Sequence, residues 1–320
     1  MTNQSRVSEF LLRGFSYTPE LQVFPTSIFL IIYLVALIEN LLIITVIIYS
    51  HQLHTPMYFF LANLSFQDLG SISTTAPKSI ANSLMNTEAI SYSGCACQVF
   101  FLVFFMMSHL FLLGGMAYDR YVAICKPLHY EIVMKRKTCI QMATSAWLSG
   151  LFYSTLHTGN TFTVQYCSNI VNQFFCEIPQ LLKISCSDPF FPEVWTITFG
   201  TSLAFINFLL VAFSYIQIFR AVLRIPSTEG KQKAFSTCLP HLIVISLFLV
   251  SGTFAYLKPM SNSPSVLDLL LSILYCIVPP VMNPLIYSMR NKELKMAFWK
   301  MIVNILPHVL HKKHSPANVS

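Results

Sequence analysis

Charged residues are scarce in this sequence. Only 10% of its 320 residues are Asp, Glu, Lys or Arg, whereas an ordinary soluble domain carries roughly 25%. Hydrophobic residues make up 54%, and the mean hydropathy is +0.60. These proportions exclude a soluble globular protein and place most of the chain in lipid. The net charge of +7 would suggest a nucleic-acid binder only in a soluble protein, so no nucleic-acid partner is expected.

Three other features are absent from the sequence. Residues 1–20 contain no apolar run followed by a small-residue cleavage site, so we expect no removable signal peptide. There is no internal repeat and no low-complexity stretch. No cysteine follows Cys276, which excludes a palmitoyl anchor after that point. One compact membrane domain is therefore expected.

Seven apolar segments are long enough to cross a bilayer, whose core is about 30 Å thick and needs roughly 20 helical residues. The sequence predicts helices at 24–49, 57–84, 96–125, 139–158, 195–223, 234–257 and 266–289. The second is the most polar, because Asn63, Gln67 and Asp68 lower its hydropathy. The predicted fold class is an all-α membrane protein, a seven-transmembrane helix bundle. The bundle (24–289) lies between an extracellular segment (1–23) and a cytoplasmic tail (290–320).

The distribution of Lys and Arg predicts the orientation of the bundle, because these residues are retained in cytoplasmic loops. With the amino terminus outside, 15 of the 20 lie inside, and the five outside are Arg6, Arg13, Lys78, Lys183 and Lys258. The sequence Asn3-Gln4-Ser5 then predicts N-glycosylation at Asn3, on the outer side. In the tail, apolar residues recur at helical spacing from Leu294 to Ile305, which predicts a short amphipathic helix on the membrane surface.

Five stretches of sequence carry a family resemblance. Residues 116–130 read MAYDRYVAICKPLHY at the cytoplasmic end of the third helix. The others are LHTPMYFFL (53–61), SY (214–215), KAFSTC (233–238) and PPVMNPLIYSMRN (279–291). Together, and in this order, they are similar to the signatures of odorant receptors, which belong to the rhodopsin-like G-protein-coupled receptors. The resemblance covers nearly the whole chain except its tails.

The resemblance implies a coupling surface at the cytoplasmic end of the bundle. Releasing Arg120 from Asp119 would let the guanidinium face the α subunit of a G protein. Pro284 lacks a backbone donor and permits a kink in the seventh helix. The residues assigned to coupling and switching are Asp119, Arg120, Tyr121, Tyr215, Asn283, Pro284 and Tyr287.

A polar core is predicted around Asp68. A charged side chain in the middle of a spanning helix costs about 2.5–3.5 kcal/mol on insertion scales, so Asp68 should face Asn40 and Asn283 inside the bundle. In the family this aspartate belongs to a cluster that can hold sodium, often with an acid from the third helix. Here that position is His109, which supplies no second carboxylate, so a direct Asp68–His109 pair is an equal alternative to sodium. A structural cluster without switching is the third interpretation.

Four cysteines lie on the outer side, where disulfides persist: Cys95, Cys167, Cys176 and Cys186. Four cysteines allow three pairings, and the sequence alone does not choose between them. The resemblance implies Cys95–Cys176 and Cys167–Cys186. Cys97 is expected to be a buried free thiol.

The ligand site is expected between the outer halves of helices 3, 5, 6 and 7, where a bundle forms a concave and mostly apolar cavity. None of the candidate residues is acidic or basic, so we predict an uncharged ligand held by shape and apolar burial. Thr253 or Tyr256 would offer one hydrogen bond. The candidates are Leu102, Val103, Met106, Phe199, Leu203, Gly252, Thr253 and Tyr256.

The sequence therefore predicts an odorant receptor of the plasma membrane that binds a small molecule, activates a stimulatory, olfactory-type G protein and raises cyclic AMP. Its partners would be the odorant, the G protein and membrane lipid, with no cofactor and no catalysis. A channel or transporter would need ionisable residues along several spans, and only Glu39, Asp68 and His109 are evident. A membrane enzyme is excluded by the lack of a metal-spacing or nucleophile motif. Two alternatives within the same fold stay open: a receptor that senses chemicals outside the nose, and a poorly coupled orphan receptor.

Overall fold

The chain folds into a bundle of long helices with loops and a small sheet at one end. The computed structural model describes residues 7–13, 19–186, 190–224, 227–257, 266–290 and 292–312. Within these ranges the helices are α1 (Pro19–Tyr49), α2 (Pro56–Leu84), α3 (Tyr92–Cys125), α4 (Tyr130–Val133), α5 (Arg136–Thr163), α6 (Ile178–Lys183), α7 (Phe190–Leu223), α8 (Thr228–Leu257), α9 (Val266–Cys276), α10 (Val278–Arg290) and α11 (Lys292–Lys312). The strands are β1 (Glu9–Leu12), β2 (Ala89–Ser91) and β3 (Ile170–Val171).

All seven predicted segments are helical. The first six spans are α1, α2, α3, α5, α7 and α8, and α9 with α10 forms the seventh. The third span begins at Tyr92, four residues earlier than predicted, because the Ser91 hydroxyl caps it by accepting a hydrogen bond from the Gly94 N–H at 3.1 Å. The fourth and fifth spans are also longer than predicted, and α7 carries Glu193 in its first turn.

Among the residues that the structure describes, three helices are long and apolar enough to cross a membrane on their own: Thr26–Tyr49, Tyr92–Cys125 and Glu193–Leu223. The bent pair Leu270–Cys276 and Val278–Tyr287 meets the same criteria as one span. The remaining spans are more polar, and α2 shows why they still suit a bundle. Gln67 and Asp68 are 0% and 1% exposed, whereas the adjacent Phe66 is 59% exposed. The polar side chains therefore face the interior and the apolar ones face lipid.

The seventh span is bent by 45° around Ile277. Pro279 and Pro280 have no N–H and cannot bond to the carbonyls one turn earlier, so the helix breaks ahead of them. The sequence assigned the kink to Pro284 instead. In the structure α10 continues through Pro284, so the bend lies one to two turns before the predicted position.

A three-stranded sheet lies at the end of the bundle that carries the loop between α5 and α7. The all-α prediction did not include this sheet. β1 pairs antiparallel with β2, with Phe10 opposite Ile90, and parallel with β3, with Leu12 opposite Val171. Phe10 is fully buried and packs against the rings of neighbouring tyrosines. Strands of two to four residues have no detectable alternation, and their pairing joins distant parts of the chain.

Two disulfides fix the loop between α5 and α7. Cys95 of α3 is bonded to Cys176, with their Cα atoms 5.5 Å apart, and Cys167 is bonded to Cys186. These are the two pairs that the resemblance implies. Cys97 is a free thiol, as expected, but it is exposed rather than buried, because it lies two residues from Cys95 on the opposite face of α3.

Loss of the first disulfide is expected to destabilise the protein strongly. Removing a native disulfide from a small secreted domain typically costs about 2–5 kcal/mol, and here it would also free the loop from α3. We predict that Cys95→Ser lowers the unfolding temperature of the purified protein and its display at the cell surface. Cys97→Ser, two residues away, should change neither. Equal losses for the two variants would contradict the prediction.

The helix α11 follows the bundle as the predicted surface helix. Leu294 and Ala297 are buried against the helical core, whereas Met296 and Trp299 are exposed. The Tyr58 hydroxyl donates a hydrogen bond to the Glu293 carboxylate at 2.8 Å, which joins α2 to the start of α11. An exposed Trp beside exposed apolar residues is suited to the membrane–water interface.

Candidate functional site

An apolar cavity of about 150 Å³ lies between α3, α5, α7 and α8. An apolar protein cavity of about this volume is large enough to bind a molecule the size of benzene. None of the described lining residues carries a charge, and the polar groups among them are two threonines and a tyrosine. The lining residues are Val103, Met106, Met107, Leu110, Tyr153, Ile197, Gly200, Thr201, Ala204, Phe248, Leu249, Gly252 and Thr253.

Four of the eight predicted ligand residues line the apolar cavity: Val103, Met106, Gly252 and Thr253. Leu102 does not, because it lies on another face of α3, in a buried cluster with Phe174 and Phe175. Phe199 and Leu203 are also absent from the lining, and the side chain of Tyr256 lies outside the described residues.

The face of α7 that lines the apolar cavity differs from the face predicted from the sequence. Ile197, Gly200, Thr201 and Ala204 line the apolar cavity and share one face at helical spacing. The predicted residues Phe199 and Leu203 lie about a third of a turn around the helix from this face. Apolar residues occur all around α7, so its sequence gives no amphipathic signal that would reveal the inward face.

The contribution of α5 to the apolar cavity was also missed. Tyr153 is buried, lines the cavity, and donates a hydrogen bond from its hydroxyl to the Thr196 carbonyl at 3.2 Å. Behind it, His157 of α5 and Glu193 of α7 are both buried, with His157 Nδ1 3.3 Å from Glu193 Oε2. The expectation that ionisable groups in the spans are confined to the first three helices was therefore wrong.

The polar core lies next to the apolar cavity, towards the Arg120 end of the bundle. The Asn283 amide donates to both carboxylate oxygens of Asp68, at 2.9 and 3.2 Å. His109 Nδ1 is 3.7 Å from Asp68 Oδ1, within ion-pair distance but too far for a hydrogen bond. The His109 ring stacks on Phe248 with centroids 5.0 Å apart, and Phe248 lines the apolar cavity. One histidine thus contacts both sites.

Asn40 has a different role from the one expected. Its amide donates to the carbonyls of Ala36, at 2.9 Å, and Pro280, at 2.8 Å, and does not reach Asp68. The Pro280 carbonyl would normally accept from the N–H four residues later, which Pro284 lacks. Asn40 supplies the missing donor, which explains why α10 stays helical through Pro284.

Among the described residues, no group of three or more His, Cys, Asp or Glu side chains is arranged to hold a metal ion. At the polar core, Asp68 has Asn283 and His109 beside it. A second carboxylate is not among these neighbours, although hard cations such as sodium prefer oxygen ligands.

Glu39 of α1 is half-buried, and within the described structure its Oε2 atom has no hydrogen-bond partner.

The other end of α3 holds a closed pair between Asp119 and Arg120. Asp119 is buried, and Arg120 Nε donates to Asp119 Oδ2 at 3.0 Å with a second contact from the guanidinium Nη2. The Tyr130 hydroxyl of α4 donates to Asp119 Oδ1 at 2.8 Å. Burial raises the pKa of Tyr130, and the Asp119 carboxylate raises this pKa further, so the phenol stays protonated and keeps donating.

Two more tyrosines assigned to coupling lie near this end. The hydroxyl of Tyr215 in α7 shares a hydrogen bond with Nδ1 of His241 in α8, which joins the fifth and sixth spans. The Tyr287 hydroxyl of α10 is buried without a hydrogen-bond partner in the described part of the chain. The ring of Tyr121 in α3 lies 6.2 Å from the ring of Phe213 in α7, measured between centroids. His241 lies three residues after the KAFSTC stretch and was not among the predicted residues.

Comparison with known proteins identifies what the chain is similar to. The profile of the family described as "Olfactory receptor" matches residues 29–305. Olfactory receptor 14A16 of Homo sapiens is 51% identical over 303 residues, covering 94% of this chain and 98% of that protein. Olfactory receptor 5AR1 of Mus musculus is 46% identical over 301 residues, covering 94% and 97%. The crystal structure of squid rhodopsin superposes with a TM-score of 0.69 at 17% identity, covering 94% of this chain and 90% of that one, which shows the same fold.

Proposed function

The chain belongs to the olfactory receptor family, and on that premise we propose that it binds a small, mostly apolar, uncharged odorant in the apolar cavity and activates a stimulatory, olfactory-type G protein. The resulting signal is a rise in cyclic AMP. As a member of this family it is a signalling receptor and not an enzyme.

One observation carries the proposal. The helix α3 lines the apolar cavity and, nearer its C-terminal end, carries the Asp119–Arg120 pair. The polar core lies between these two regions. Phe248 of the cavity stacks on His109, and His109 lies beside Asp68. A ligand that moves Phe248 therefore acts through packed side chains on the contacts that fix α10. We call the state with Arg120 paired to Asp119 closed and the state with Arg120 released open. A ligand shifts the population towards the open state only if it binds that state more tightly than the closed state.

The residues that line the apolar cavity support an uncharged ligand. The described lining residues are uncharged and mostly apolar, so an amine or a carboxylate would lose its hydration without gaining a counter-ion. The Thr201, Thr253 and Tyr153 hydroxyls offer the polar contacts, and the Tyr153 hydroxyl is already bonded to Thr196. Two methionines, Met106 and Met107, make the lining adaptable, which favours broad tuning.

We further propose that the receptor lies in the plasma membrane with its amino terminus outside. The disulfide loop would then face the oxidising side, and Arg120 would face the cytosol. The 15 to 5 division of Lys and Arg supports this orientation. Asn3, outside the described residues, would carry the N-linked glycan.

The proposal is tested by a screen of volatile compounds on cells that display this chain, with cyclic AMP as the readout. We expect uncharged, mostly apolar volatiles to raise cyclic AMP and charged amines to be inactive. Cells without the chain are the control. A response confined to charged compounds, or none at all from a chain shown to be at the surface, would refute the proposed ligand class or coupling.

Neutralising Asp119 is predicted to raise signalling in the absence of ligand. Asp119→Asn keeps the shape and still accepts the bond from Tyr130, but it removes the charge that holds Arg120. A loss of about 1 kcal/mol from the closed state changes the ratio of states about fivefold. We expect basal cyclic AMP to rise at least about fivefold per receptor at the surface.

Glu131→Gln is the matched control, because Glu131 is an exposed acid of the adjacent helix α4. It should leave basal cyclic AMP unchanged. An unchanged basal level in Asp119→Asn would show that the pair does not restrain the receptor.

A further inference from the structure

Tyr153 forms the α5 side of the apolar cavity, and its position is fixed from several directions. Its hydroxyl donates to the Thr196 carbonyl at 3.2 Å. Its ring packs edge-on against His157, with centroids 5.4 Å apart, and lies 6.4 Å from the ring of Phe199. The side chain is almost completely buried. A ligand in the cavity therefore meets a ring that cannot swing aside without breaking these contacts.

Gly200 of α7 is what allows the Tyr153 ring to lie there. A Cβ atom on Gly200 would be 2.1 Å from the Tyr153 hydroxyl oxygen and 2.4 Å from its Cζ atom. Atoms cannot approach so closely, so any side chain at this position would displace the ring. Both residues line the apolar cavity. The contact between them thus forms part of the cavity wall.

A buried polar cluster holds α5 and α7 in the register that this contact needs. We name it the α5–α7 polar cluster, and it consists of His157, Asn160, Thr161, Glu193 and Thr196. Thr161 donates to Glu193 Oε1 at 2.6 Å, His157 Nδ1 is 3.3 Å from Glu193 Oε2, and Asn160 donates to the Thr196 hydroxyl at 2.5 Å.

The cluster lies directly behind the cavity. Glu193, Thr196, Ile197 and Gly200 follow at helical spacing along α7, so a shift of Glu193 carries Thr196 and Gly200 with it. A buried carboxylate is costly unless it is paired and hydrogen-bonded, so the hydrogen bond from Thr161 to Oε1 and the nearby His157 ring stabilise Glu193 in this position. The cluster is therefore placed to transmit its geometry to the Tyr153–Gly200 contact.

We propose that Tyr153 and Gly200 set the upper limit on the size of the ligand, and that Glu193 of the α5–α7 polar cluster is a positioning residue for this limit. The inference rests on the proposed function only in taking the apolar cavity as the ligand site. In a hydrophobic pocket one methylene more or less changes recognition about 10–200-fold, so a wall displaced by one carbon is enough to change selectivity.

The test is a binding measurement that needs no G protein. The full chain is purified in lipid nanodiscs, and its unfolding temperature is recorded with benzene, toluene, ethylbenzene, propylbenzene and butylbenzene. A compound that binds the folded state raises this temperature by mass action. The longest alkylbenzene that stabilises each variant is its size cut-off.

Tyr153→Leu should move the cut-off to longer compounds, because the ring that closes the cavity is gone. Gly200→Ala should move it to shorter ones, because the displaced ring fills the cavity. The double variant Tyr153→Leu with Gly200→Ala should return towards wild type, since the added methyl group no longer meets a ring. Phe152→Leu is the matched control, because Phe152 is adjacent on α5 but exposed, and its cut-off should be unchanged.

Glu193→Gln tests the positioning role. It keeps the size and an acceptor for Thr161 but removes the charge beside His157. We expect the ratio of affinities for toluene and butylbenzene to fall at least about tenfold, as the cavity loses its fixed wall. A purely structural Glu193 would lower the unfolding temperature without ligand and leave this ratio intact.

The inference is overturned if the single variants share one cut-off, if Tyr153→Leu and Gly200→Ala shift it in the same direction, or if no alkylbenzene stabilises any of these proteins. Shifted cut-offs without cyclic AMP signalling would support the size limit and refute the proposed coupling. Cyclic AMP responses to volatiles, with the same size cut-off in all variants, would support the proposed coupling and refute the size limit. The two failures are therefore distinguishable.

Discussion

Replacement of Gly252 by leucine is expected to abolish or strongly weaken the response to odorants while the fold stays intact. Gly252 lines the apolar cavity, and a Cβ atom built on it has no atom within 4 Å. A leucine side chain would occupy space that the ligand needs. A ligand that shares the cavity with this side chain would overfill the remaining space. Overfilling costs about 1–3 kcal/mol of binding free energy, which corresponds to a loss of affinity of about 5- to 150-fold.

Gly159→Leu provides the matched control. Gly159 also lies in a helix, also has no atom within 4 Å of a built Cβ, and is exposed away from the cavity. Both changes replace a helical glycine and should gain up to about 1 kcal/mol of helix propensity. Neither variant is thus expected to unfold. Dose–response curves at equal surface display measure the effect, and a rightward shift of equal size in both variants would refute the assignment of the cavity.

Replacement of Arg120 by alanine is expected to remove G-protein activation and to spare ligand binding. In the structure the Arg120 guanidinium is paired with the Asp119 carboxylate. We propose that it contacts the G protein once released. Hydrogen bonds to charged groups are worth about 1.5–3 kcal/mol, so losing them should cut coupling about tenfold or more. Ligand-induced stabilisation of the purified receptor should stay within about twofold in apparent affinity.

Asp119 is buried, so alanine at position 120 leaves a carboxylate without its cation, and this can destabilise the fold. The neutral pair Asp119→Asn with Arg120→Gln avoids that problem and should be equally silent. Arg13→Ala is the control, because Arg13 pairs with Glu88 at 3.2 Å in an exposed ion pair of little energetic value. Full activation by the neutral pair would contradict the role of Arg120.

The spans were predictable because lipid restricts the solutions. A bilayer needs helices of a given length, and the polar residues of α2, such as Asp68, had to face inwards. The bend at Ile277 was not predicted, although Pro279 and Pro280 are its cause. A kink at Pro284 was expected instead, but Asn40, far away in the sequence, donates to the Pro280 carbonyl that Pro284 leaves without a donor.

The site was predictable only in part, for a related reason. Val103 and Gly252 could be placed from the topology of the bundle. The α7 lining could not, because apolar residues surround that helix and only packing decides which face is inside. Glu193 was missed because the fifth helix was predicted from hydropathy to begin at residue 195. Its burial depends on Thr161 and His157, which lie more than thirty residues earlier in the chain.

The proposed function requires that an uncharged molecule in the apolar cavity opens the Arg120 end of the bundle. Nucleotide exchange on a purified stimulatory G protein, catalysed by the receptor in lipid nanodiscs, tests it most directly. We predict that a volatile selected on cells accelerates exchange with the wild-type chain and not with Gly252→Leu. Equal acceleration by both proteins, or an ionic current across the membrane with no acceleration of exchange, would contradict the account.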